Sequence, residues 1–106
     1  MITGGVQGMG RAVAELLLKK GARQVILWDI RADLLDRTAA EIRAQGFTVV
    51  TDIVDVSRTN DVIAAAARAE SAGPVDILVN NAGIIVGKNF VDHTHDARWY
   101  VQGWYD

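Results

Sequence analysis

Thr3-Gly4-Gly5-Val6-Gln7-Gly8-Met9-Gly10 decides how the chain is read. It stands between the apolar stub Met1-Ile2-Thr3 and a helical pattern over Gly10–Lys20, which carries Val13, Leu16, Leu17 and Leu18. The spacing is not G-x-G-x-x-G, because Val13 occupies the last glycine's place. It is T-G-x-x-x-G-x-G, with Gly4, Gly8 and Gly10. Glycines between a strand and a helix permit positive φ and let backbone approach an anion closely, while the helix's first N–H groups point at it. A glycine-rich turn with no ligand fits three glycines equally well.

Working outward from the loop, apolar runs and helical patterns alternate. Val25–Trp28 reads as a buried strand ended by Asp29, and Asp33–Gln45 as a helix with Leu34, Leu35, Ala39 and Ile42 on one stripe. Phe47–Val56 is a Val, Ile and Thr-rich strand. A third helix, capped by Ser57 or Thr59, runs to the break at Gly73-Pro74. Gly21 and Gly46 stop the two earlier helices. Val75, Ile77, Leu78 and Val79 form a fourth strand closed by Asn80-Asn81. Four strands alternating with three helices predict an α/β fold: a partial doubly wound parallel sheet, order 3-2-1-4, with helices on both faces. The first strand is then central, yet has three residues where strands usually have about five or six. The chain is therefore expected to begin partway through that strand.

Composition narrows the function classes. The chain has 106 residues, and 11 Lys+Arg against 13 Asp+Glu give a net charge of −2. That length suits one domain, here divided into a nucleotide-binding part over residues 1–91 and an atypical tail over 92–106. An acidic balance gives no footprint for nucleic acid or an anionic membrane, so neither is expected as a partner. The absence of cysteine excludes disulfides and thiolate metal sites. No secretory signal and no apolar run of membrane-spanning length is seen, and a cytoplasmic location is expected.

Asp29 lies 19 residues after Gly10, at the end of the second strand. A carboxylate there can accept hydrogen bonds from both hydroxyls of an adenosine ribose and repels a 2′-phosphate. By itself it is better read as a cap on the following helix. Together with the loop and the alternating pattern it points to dinucleotide binding.

Thr3-Gly4-x-x-x-Gly8-x-Gly10, Asp29, Asp55-Val56 and Asn80-Asn81-Ala82-Gly83, in this order, resemble the short-chain dehydrogenase/reductase family of NAD(P)-dependent oxidoreductases. The resemblance covers roughly residues 1–95. It implies that Gly4, Gln7, Gly8 and Met9, with Gly10, line the pyrophosphate. Asp29 and Ile30 would hold the adenosine ribose, Asp55 and Val56 the adenine, and Asn81, Ala82 and Gly83 the nicotinamide-side ribose. An acid at Asp29 implies NAD in preference to NADP, with some NADP tolerance left by Arg31.

The family's proton-transfer groups are missing. Its chemistry needs a Tyr-x-x-x-Lys pair and a serine, the lysine lowering the phenol's pKa so that tyrosinate can exchange a proton with substrate. Here the lysines are Lys19, Lys20 and Lys88, the tyrosines Tyr100 and Tyr105, and the serines Ser57 and Ser71. No pairing of these fits, and no catalytic residue is assigned. Two readings stay open: the cofactor-binding part of an NAD(H)-linked alcohol dehydrogenase or carbonyl reductase, truncated or frame-altered, or a non-catalytic nucleotide-binding or self-associating module.

In the tail, His93 and His95 beside Asp92 and Asp96 have metal-ligand chemistry but no evident fourth ligand, and a polar loop entering a helix is the better reading. Trp99, Tyr100, Trp104 and Tyr105 suggest packing or self-association. A homo-oligomer is expected, through the uncovered fourth strand or this tail.

Overall fold

The computed structural model describes residues 1–83. Its elements run β1 (Ile2–Thr3), α1 (Gly8–Lys19), β2 (Val25–Asp29), α2 (Ala32–Ala44), β3 (Val49–Ile53), α3 (Thr59–Ser71) and β4 (Val79–Asn80). The four strands form one sheet in the order β3-β2-β1-β4, and every pairing is parallel. Ile2 stands between Leu27 and Val79 across the ladder, and Thr3 between Trp28 and Asn80. Both the doubly wound class and the strand order match the sequence expectation.

β2 organises the core because all five of its residues are buried, with alternate side chains going to opposite faces. Val25 and Leu27 join Ile2, Ala14, Leu18, Leu35, Ala39, Ile42 and Val49 in one cluster. Ile26 and Trp28 join Val54, Ala65 and Ala69 in the other. So α1 and α2 cover one face and α3 the other. The indole N–H of Trp28 is buried with no hydrogen-bond partner among the described residues.

Several boundaries differ from expectation, each for a visible reason. The α1 helix starts at Gly8, and its core stripe is Gly10, Ala14 and Leu18; of the leucine run, Leu16 is 56% exposed. A four-residue step keeps the small residues against the sheet, which puts Leu16 half a turn away. The third strand is confined to Val49–Ile53, the stretch facing β2. At the start of α3 neither Ser57 nor Thr59 is the cap. Arg58 takes that position without a side-chain bond, while Ser57 donates both its N–H and its hydroxyl to the Asp55 carboxylate. The fourth strand is Val79–Asn80 alone, because β1 supplies ladder partners only that far; ahead of it, the Met1 ammonium donates to the Ile77 carbonyl at 2.8 Å. Glycines with positive φ, Gly21, Gly46 and Gly73, follow the three helices.

The tail residues 92–106, with the His93–His95 pair and the aromatic group, lie outside the described residues. Among the described residues no helix is long and apolar enough to cross a membrane, and no group of three or more His, Cys, Asp or Glu could hold a metal ion.

Candidate cofactor site

Parallel strands bring their carboxyl ends to one edge of the sheet, and ligands of open α/β sheets bind there. Each sequence-predicted site residue follows the end of a strand: the Gly4–Gly10 loop after β1, Asp29 and Ile30 at β2, Asp55 and Val56 just beyond β3, and Asn81–Gly83 after β4. A cavity of roughly 410 Å³ lies at the opposite, amino end, between Val25 and Ile77 with Met1 and Leu17 on its wall, and so takes no part in this site.

The centre of the site is a hydrogen-bonded seam between the first loop and the segment after β4. The Thr3 hydroxyl accepts from the backbone N–H groups of Asn81, at 3.1 Å, and Ala82, at 3.0 Å. The Asn81 side-chain amide donates to the Gly4 carbonyl at 3.1 Å. On its other flank, the Gly4 N–H donates to the Trp28 carbonyl at 2.7 Å. The loop is thereby held to both neighbouring strands at once. The sequence shows Thr3 as the end of the first strand stub and the first letter of the loop motif; its 5% exposure and two accepted bonds make it a positioning residue for the whole edge.

Close approach sets the glycine requirement. A Cβ at Gly10 would lie 2.5 Å from the Asn81 amide nitrogen and 2.6 Å from the Gly4 carbonyl oxygen. At Gly4, where φ is +65°, it would lie 3.0 Å from the Ala82 Cα. Gly5, outside the spaced motif, is also constrained, since its Cβ would meet the Leu27 side chain at 2.7 Å. By contrast Gly8, with φ +58°, faces free space. Gly4, Gly10, Asn81 and Ala82 are thus packed together, while Gln7, Gly8 and Met9 lie on the exposed rim.

The rim suits an anion. Gln7 occupies the N-cap of α1 with no side-chain capping bond, and the first turn carries no acid. The helix therefore presents N–H groups and the positive end of its dipole without a competing side-chain acceptor.

The two acids are each engaged locally. Asp29 is buried, and one of its oxygens, Oδ1, accepts from the Arg31 backbone N–H at 3.1 Å and from Arg31 Nε at 3.3 Å. This is a turn ahead of the helix and not the expected cap: Arg31 itself is the N-cap of α2, without a side-chain capping bond. Asp55 holds the turn into α3, and the Ser57 hydroxyl and N–H, in that order, keep its carboxyl below the usual range, with Arg58 adding a smaller pull. Ile30 is exposed, whereas Val56 packs against the α3-side core.

The residues present fit a dinucleotide: a glycine-bordered cradle, an uncapped helix start and a buried acid at the end of β2. Comparisons agree. The chain matches the short chain dehydrogenase family over residues 1–101. It is 39% identical over 98 residues to the human protein "Short-chain dehydrogenase/reductase 3", covering 92% of this chain and 32% of that protein. With "Oxidoreductase UcpA" of Salmonella typhimurium it shares 38% over 99 residues, covering 92% and 37%. Among solved structures it resembles L-sorbose reductase from Gluconobacter frateurii, complexed with NADPH and L-sorbose. There the TM-score is 0.79 and the identity 32%, over 90% of this chain and 37% of that one. The 2-keto-3-deoxy-D-gluconate dehydrogenase from Streptococcus agalactiae superposes with a TM-score of 0.74 at 26% identity, over 89% and 36%. The chain spans about a third of the length of these relatives. A doubly wound 3-2-1-4 sheet, the loop seam and a family match over nearly the whole sequence lead to one conclusion: the chain belongs to the short-chain dehydrogenase family.

Proposed function

We propose that this chain is the dinucleotide-binding part of an NAD(H)-dependent oxidoreductase that interconverts alcohols and carbonyls. The observation that carries the reading is the seam joining Thr3, Gly4, Asn81 and Ala82, which holds the glycine loop open beside an uncapped helix start. In this reading the loop from Gly4 to Gly10, with Gln7, Gly8 and Met9 on its rim, holds the pyrophosphate. Asp29 accepts the adenosine ribose hydroxyls beside Ile30, Asp55 and Val56 border the adenine, and Asn81, Ala82 and Gly83 border the second ribose. When bound, the nicotinamide supplies or accepts a hydride.

This sequence has no Tyr-x-x-x-Lys. General acid–base help is worth about 10²–10⁴ in rate, so the chain alone binds cofactor without ordinary turnover. The same missing pair supports the second reading, a nucleotide-binding module that acts by association. The exposed side chains of Ile77 and Leu78 next to β4 would serve a homo-oligomer of that kind.

Fluorescence titration of the chain with NADH and NADPH tests the reading. NADH is expected to bind the more tightly. Asp29→Ala is expected to weaken NADH by about tenfold, the loss of a charge-assisted hydrogen bond, and so to erase the preference. Equal affinity for both nucleotides before mutation would count against NAD preference, and binding of neither would count against the site.

A further inference from the structure

The buried face of α2 carries one side chain unlike its neighbours. Leu35, Ala39 and Ile42 are apolar, and Thr38 among them is 2% exposed. A hydroxyl shut in an apolar core costs stability unless it is hydrogen-bonded. A helix threonine can turn its oxygen back to a carbonyl of the preceding turn. Here the hydroxyl leaves the helix and donates to the Val6 carbonyl at 3.3 Å, 32 positions earlier in the chain. Val6 stands in the middle of the glycine loop and is buried in the same cluster as Leu35 and Ile42.

This contact fixes one peptide plane of the loop. In a trans peptide the C=O and the following N–H point to opposite sides, and no peptide bond among the described residues is cis. With the Val6 carbonyl turned into the core, the Gln7 N–H faces the other way, toward the rim where Gln7 is exposed. No described residue accepts from that N–H. A second loop carbonyl is withdrawn as well, since that of Gly4 accepts from the Asn81 amide. A carbonyl oxygen left on the rim would repel an anion, whereas an N–H there attracts one.

We infer that Thr38 is a positioning residue for the pyrophosphate: it holds the Val6 carbonyl in the core and so sets the Gln7 N–H as a donor to the anion. The inference rests on the dinucleotide reading of the site. It gives α2 a part at both ends of the adenosine diphosphate moiety. The helix starts just after Asp29 and Ile30, at the ribose, and Thr38, about two turns in, reaches the loop.

Three variants test it. Thr38→Val keeps the shape and removes the hydroxyl, and Thr38→Ser keeps the hydroxyl. Ile42→Val, at another buried position of α2, shortens a side chain in the same core and removes no hydrogen bond. Each is titrated with NADH, with ADP, which keeps the pyrophosphate, and with adenosine, which lacks it. Thr38→Val is expected to weaken NADH and ADP by about tenfold and to leave adenosine unchanged. Thr38→Ser should recover most of the loss, and Ile42→Val should leave the ratio of ADP to adenosine affinity where it was. In amide NMR of the unmodified chain, ADP should move the Gln7 N–H downfield and adenosine should not, a readout that stands even where Thr38→Val does not fold. If NADH binds but Thr38→Val weakens all three ligands alike or none of them, or if the Gln7 N–H ignores ADP, the inference fails and the dinucleotide reading stands. If neither NADH nor ADP binds the unmodified chain, the dinucleotide reading fails and takes this inference with it.

Discussion

The two sides of β1 are built differently. On one side β2 and β3 pair over five residues, and every residue of β2 is buried between two apolar clusters. On the other side β4 pairs over two residues, and Val75, Ile77 and Leu78 before it are exposed. The first side is held by apolar burial, the second by hydrogen bonds to the Thr3 hydroxyl and from the Asn81 amide. The glycine loop sits over the junction and needs both. Stability and site geometry are therefore separable, since truncating a buried leucine and removing a hydroxyl attack different sides.

The largest effect should come from the buried side. Leu27 is fully buried, and Leu27→Ala is expected to cost about 2–5 kcal/mol in urea unfolding, the transfer loss plus the cavity left behind. Leu78→Ala, the same truncation at a residue 53% exposed, should stay within about 0.5 kcal/mol. Comparable losses at the two sites would erase the contrast.

A smaller effect is expected at the seam. Thr3→Val keeps the shape and removes the acceptor of two backbone N–H groups, at an expected cost of about 1–3 kcal/mol. Thr3→Ser should recover most of it. Amide hydrogen exchange locates the loss: Asn81 and Ala82 should gain exchange in Thr3→Val, while Leu27 and Trp28 keep their protection. Faster exchange throughout β2 would mean that the two sides are one unit.

The smallest effect belongs to Asp55, beyond β3. Its carboxyl titrates lower in the folded chain than in the unfolded one, chiefly through the Ser57 hydroxyl and N–H. The stabilisation this gives is complete above the ordinary carboxylate range and is lost as pH falls through the depressed folded value. Solvent screening keeps it slight. In a carbon-detected NMR titration, Ser57→Ala should return the Asp55 midpoint toward that of a free carboxylate. An unmoved midpoint would show that another group sets it.

How legible the molecule is in its sequence follows the same division. Val25–Trp28 and the stripe of Leu35, Ala39 and Ile42 are plain from pattern, because a run buried on both faces and steps of four and three residues leave little alternative. The 75–79 stretch reads as a longer strand than it forms. Its apolar residues satisfy the local signal, but ladder length is set by β1, which pairs only at Ile2 and Thr3. Within the site, the strand-end positions of Asp29 and Asn81 could be counted from the sequence. The reach of the Thr3 hydroxyl to Asn81 and Ala82 could not, nor could the crowding of Gly5 by Leu27. Both depend on register between segments far apart in the chain, to which a local pattern is blind.

That register has a consequence for synthesis. β1 is made before the strands that flank it, β2 and β4, but its hydroxyl must wait for a residue 78 positions later. At about 5–20 residues per second, the ribosome takes roughly 4–16 seconds to supply it. Contact-forming motions of a short chain take microseconds or less. β1, β2 and β3 can therefore assemble while one edge of β1 is still uncovered, so the nascent chain passes through a stage with a bare central strand. A chaperone that shields extended apolar segments would act in that interval, and its task would end when Val79 and Asn81 arrive.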